Sequence, residues 1–123
     1  MSGNLLLLIL ASVGLSAVAQ MFLKLGVGAV RIASDSGVTA TLTAYAFSPF
    51  VVLGLALYGL GAVMWLFVLS RLPLTAAYPF VGLGFILTMI LGATALGETL
   101  SATRIAGTLL IAAGCVLVAR SVA

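Results

Sequence analysis

The chain has 123 residues, 64% of them apolar and only 6% charged, with five basic residues, two acidic ones and no histidine. A soluble domain carries about 25% charged residues, so this composition cannot coat a globule with polar surface, and the mean hydropathy of +1.42 agrees. At roughly 20 residues per bilayer crossing, the apolar content provides for about four crossings. It excludes a soluble catalytic domain and, with one cysteine and no histidine, a triad, a zinc or iron site and an intrachain disulfide.

The first apolar run spans about 4–24, from Leu5 to Leu23 with Lys24 behind it. Its beginning has something of a signal peptide, since Leu5 to Leu10 are followed by Ala17-Val18-Ala19. No basic residue precedes the run, however, and it continues past that site, so a retained helix is expected. Within it Ser12, Ser16, Gln20 and Lys24 recur every four residues and form one polar stripe. Polar groups at membrane depth are costly and normally face a bundle interior or a wet cavity. One reading is therefore a cavity wall for a polar or anionic substrate, with Lys24 at its mouth. The other has the serines bonding back to their own helix while Lys24 snorkels to the interface.

A long connection from about Gly26 to Ser48 follows, carrying Arg31 and Asp35, with a short interfacial helix expected at Val38 to Phe47. The second run covers about 49–70 and ends at Arg71-Leu72-Pro73. Gly54, Tyr58, Gly61 and Trp65 share one of its faces, alternating close-approach glycines with aromatics able to stack on a ligand or donate to it. Tyr58 lies deep; Trp65, six residues from Arg71, also suits an interfacial aromatic belt.

The third run, about 74–96, contains Tyr78-Pro79. Pro79 cannot bond the Thr75 carbonyl, so the helix should kink there, either as a hinge for alternating access or as a static bend. Gly97-Glu98 stops this run. Glu98 is open to four roles: a solvated loop acid, a partner for Arg104, a residue that helps order the loop, or a group serving a proton or cation. The fourth run, about 102–120, is preceded by Ser101 as expected N-cap. Gly107, Ile111 and Gly114 form a small-residue seam on it, the pattern of helix association in lipid, and a dimer contact is expected there.

The basic residues do not settle an orientation. Arg71, Arg120 and the terminal amine fall on one side, and Lys24, Arg31 and Arg104 on the other. Scattered at segment ends, they make no nucleic-acid patch. The expected fold is an all-α membrane protein, a single four-helix transmembrane domain functioning as a dimer.

Met64-Trp65-Leu66-Phe67-Val68-Leu69, Leu72-Pro73-Leu74-Thr75-Ala76-Ala77-Tyr78-Pro79, Leu96-Gly97-Glu98-Thr99-Leu100-Ser101 and the stretch Gly107 to Gly114 resemble the four-helix proteins of the drug/metabolite transporter superfamily. Within it the chain is most similar to EamA-like flippase subunits acting on aminoarabinose linked to undecaprenyl phosphate, and it also resembles the small multidrug resistance family. The latter places a glutamate eight residues before the lysine ending its first helix; Ser16 stands there here.

The resemblance implies a multi-pass subunit of the bacterial inner membrane, paired as a homodimer or heterodimer with a similar subunit and working by alternating access without a cofactor or metal. Its substrate would be a small polar molecule or a polyprenyl-phosphate lipid, held by Ser16, Gln20, Lys24, Tyr58, Trp65, Tyr78 and Glu98, with Pro79 as hinge. Proton-coupled efflux of cations or metabolites and a non-transporting structural subunit of a larger membrane complex are the alternatives.

Overall fold

A computed structural model describes residues 3–33 and 37–122; Asp35 lies outside them. The described residues are helical almost throughout: α1 (Gly3–Ala33), α2 (Val38–Phe47), α3 (Pro49–Leu69), α4 (Leu74–Ala77), a 3₁₀ turn at Tyr78–Phe80, α5 (Val81–Thr94) and α6 (Ala102–Val122). Four stretches are long and apolar enough to cross a membrane: Gly3–Val30, Pro49–Leu69, Leu74–Thr94 and Ala102–Ser121.

The first helix does not stop at Lys24. A single lysine ends an apolar run without breaking backbone hydrogen bonding, and the residues after it are good or neutral helix formers apart from Gly26 and Gly28. Gly26 is there for packing: a Cβ on it would lie 2.5 Å from Val51 Cγ2 and 2.8 Å from the Val51 amide nitrogen. The second half of α1 therefore lies directly on the start of α3, where the Phe22 and Phe50 rings stack with centroids 6.1 Å apart. Gly54 and Gly61 continue this close approach. A Cβ on Gly54 would meet Leu23 Cγ at 2.8 Å, and one on Gly61 would meet the Ser12 carbonyl oxygen at 3.5 Å.

Pro79 interrupts the third crossing as its missing N–H requires. The helix narrows into the 3₁₀ turn Tyr78–Phe80 and resumes as α5. The thiol of Cys115 on α6 donates to the Pro79 carbonyl, tying the fourth crossing to this turn. Gly82, one turn on, receives Ile111 from α6, and Gly84 receives Val13 from α1. The α5 helix is thus thin on two sides and packs between α1 and α6.

The core gathers at the end where α1 begins and α3 finishes. Leu5, Ile9, Val13, Val68, Leu72, Ala77 and Phe80 form it, with Trp65 packed against its edge. On α6, by contrast, Cys115 is the one buried residue among those described, and Leu110 and Leu117 are 74% and 68% exposed. A helix this apolar with so open an outer face is suited to lipid or to a second subunit.

Candidate functional site

A cavity of about 640 Å³ lies between α1, α3 and the third crossing. Ser16, Gln20 and Lys24 reach it from α1, Tyr58 and Trp65 from α3, Tyr78 from the 3₁₀ turn, and Glu98 from the loop after α5. All seven side chains singled out from the sequence therefore line one space. Because α1 and the third crossing both start at the core end and run away from it in the same direction, with α3 returning to it, Trp65 and Tyr78 sit toward that end, Tyr58 midway, and Lys24 and Glu98 at the far mouth.

The polar stripe of α1 divides within this space. Ser12 is buried, and its hydroxyl donates to the Gly61 carbonyl oxygen at 2.8 Å, joining α1 to α3. It bonds neither to its own helix nor to the lumen. Ser16 is half-buried, and Gln20 and Lys24 are exposed to the cavity. Among the described residues, the polar ends of Ser16, Gln20, Lys24, Tyr58, Tyr78 and Glu98 make no hydrogen bond or ion pair within the chain. They remain available to solvent or to a ligand.

Glu98 is positioned by the end of α5. The chain leaves the helix through Gly97 at φ 68°, a left-handed conformation that glycine adopts without steric cost, and the Glu98 N–H donates to the Gly92 carbonyl oxygen at 2.9 Å. This folds Glu98 back on α5, so that Oε1 lies 2.5 Å from where a Cβ on Gly92 would stand. Arg104 does not pair with it. The Arg104 guanidinium donates to the Thr99 carbonyl at 3.1 Å, and its backbone N–H to the Ser101 hydroxyl at 3.1 Å, which makes Ser101 the N-cap of α6.

Phe85, Thr88 and Leu91 also line the cavity, on the face of α5 that continues from Tyr78 toward Glu98. Helical spacing from Tyr78 marks that face in the sequence, but the glycines and proline draw attention first. Thr88 offers a hydroxyl already donating to the Phe85 carbonyl at 3.1 Å.

On α6, a Cβ on Gly107 or Gly114 would meet nothing within 4 Å, whereas Ile111 turns its Cγ2 onto Gly82 and remains 42% exposed. The seam is open at both glycines and partly used inside the chain at Ile111.

No family model and no solved structure matches the chain. Among curated proteins, it is 40% identical over 121 residues to the probable 4-amino-4-deoxy-L-arabinose-phosphoundecaprenol flippase subunit ArnE of Pseudomonas aeruginosa (strain UCBPP-PA14), covering 98% of this chain and 99% of that protein. It is 36% identical to the probable subunit ArnF of Shewanella sediminis, over 92% of this chain and 86% of that protein. With the corresponding ArnF of Erwinia tasmaniensis the identity is 33%, over 92% of each. Similarity at this level along nearly the whole chain places it in one group: the protein belongs to the family of 4-amino-4-deoxy-L-arabinose-phosphoundecaprenol flippase subunits.

Proposed function

We propose that the chain is a flippase subunit that moves a polyprenyl-phosphate-linked aminosugar, the cargo named for its relatives, across the bacterial inner membrane. It acts as a transporter and not as an enzyme. The observation that carries the assignment is the cavity between the crossings, where Ser16, Gln20, Lys24, Tyr58, Trp65, Tyr78 and Glu98 face one space. Its volume is in the ordinary range for small-molecule sites, about 300–1,000 Å³, and suits a sugar phosphate better than a whole lipid. The polar head occupies this space while the tail stays in the hydrocarbon. Lys24 attracts the phosphate, and Gln20 and Ser16 supply hydrogen bonds along the path. Tyr58 and Trp65 offer faces on which a sugar ring can rest.

The turn at Tyr78–Phe80 serves as the hinge of alternating access. There Pro79 removes a helix hydrogen bond, so the third crossing can bend without breaking a continuous ladder. A second four-helix subunit, a copy of this chain or a relative, completes the pathway against α6 at Gly107, Ile111 and Gly114. Proton-coupled efflux is less well supported, because α1 carries no acid.

The test is head-group translocation in vesicles containing the purified protein with whatever subunit accompanies it. Lys24→Ala and Gln20→Leu should each lower transport, Lys24→Ala by about tenfold or more, as expected for loss of a charged hydrogen bond. Full transport in both folded variants would reject the proposed site.

A further inference from the structure

Lys24 and Glu98 stand on opposite walls at the same mouth of the cavity, one from α1 and one from the loop that closes α5. They have opposite charge, yet among the described residues neither forms an ion pair with the other or with anything else. Among the described residues, Glu98 is the only carboxylate lining the cavity. The fold also aims it. Gly97 turns the chain back, the Glu98 N–H is anchored on the Gly92 carbonyl, and the missing side chain of Gly92 leaves room for the carboxylate against the helix wall. Arg104, the cation closest to it along the chain, is instead engaged with the Thr99 carbonyl.

We infer that Glu98 is a specificity residue that receives the ammonium group of a zwitterionic head whose phosphate is drawn to Lys24. This deepens the flippase reading and rests on it. The site then distinguishes a phosphate-linked aminosugar from the same lipid with its nitrogen uncharged. Lys24 answers the anionic group common to both, and Glu98 answers the cation found in only one. An unpaired carboxylate and an unpaired ammonium flanking one opening at the membrane edge are costly to desolvate singly. A ligand carrying the complementary pair satisfies both at once.

The experiment compares two lipids in vesicles made with the protein purified from its native membrane together with any accompanying subunit. One is 4-amino-4-deoxy-L-arabinose-phosphoundecaprenol and the other its N-acetyl derivative, both followed by cleavage of the exposed sugar 2,3-diol with external periodate. The readout is the ratio of their transport efficiencies. The wild-type protein should favour the free amine by about tenfold or more, the size of a charged hydrogen bond. Glu98→Gln should bring the ratio close to one, Glu98→Asp should keep part of it, and Gly92→Ala, which displaces the carboxylate, should reduce it too.

A wild-type ratio near one, or an unchanged ratio in Glu98→Gln, overturns the inference while leaving the flippase reading intact. Equal loss of both lipids in Glu98→Gln, not relieved by Glu98→Asp, assigns Glu98 a structural role and also overturns it. Transport of neither lipid by the wild-type protein rejects the flippase reading itself, and the inference with it.

Discussion

A hydroxyl inside a bilayer has little water to bond, and Ser12 meets that constraint by donating to a carbonyl on another helix instead of its own. Measured hydrogen bonds between transmembrane helices average about 0.6 kcal/mol and reach about 1.7. Ser12→Ala should therefore cost about 0.5–1.5 kcal/mol, read as a shift in the unfolding midpoint in mixed micelles. A Ser12→Ala protein as stable as the wild type would mean that the α1–α3 contact needs no polar link. Ser16, four residues further on, finds no such partner and faces the cavity. Two serines equivalent in the sequence stripe thus have different tasks, because Gly61 brings a carbonyl within reach of only one of them.

Helix pairs in this protein meet where glycine removes a side chain, and their tolerance of substitution should vary accordingly. Gly26→Ala would drive a Cβ into the Val51 backbone and should destabilise by about 1–3 kcal/mol. Gly28→Ala meets nothing within 4 Å and should be neutral or slightly stabilising, since alanine is the better helix former. Thermal denaturation of the two variants side by side checks this contrast, and equal Tm values would contradict it.

The third crossing gives an element-scale prediction of the opposite kind. Pro79→Ala restores an N–H that can reach the Thr75 carbonyl, so a straighter and more stable helix should result. If the turn is the hinge, transport slows several-fold while the melting temperature holds or rises; unchanged transport would make the turn a static bend. Cys115, bonded to the Pro79 carbonyl, ties any such movement to α6.

At the scale of the molecule, the open face of α6 sets assembly apart from folding. A Cβ added at Gly107 or Gly114 meets nothing within 4 Å in its own chain and both positions are exposed, so Gly107→Leu and Gly114→Leu should leave the folded subunit intact. If that face meets a second subunit, both variants should lower the assembled fraction measured by detergent-corrected mass or by cross-linking. Retention of the assembly in both would place the contact on another face.

The number of crossings, the proline break in the third and the Ser101 cap follow from composition, period and punctuation, because a bilayer admits few ways to satisfy a backbone. Helical spacing is enough to put the polar stripe of α1 and the aromatic–glycine set of α3 each on one face of its helix. What they meet across that face is not local information. That Lys24 lies inside a helix continuing to Ala33, that Ser12 is taken up by Gly61, and that Arg104 turns to the Thr99 carbonyl instead of Glu98 all depend on contacts between different helices or at a helix end. Glu98 shows the division most clearly. The sequence by itself determined that a carboxylate follows the third crossing. Only the tertiary structure decided that it faces Lys24 across one mouth, because a left-handed glycine and the space above Gly92 turn it back onto the cavity wall.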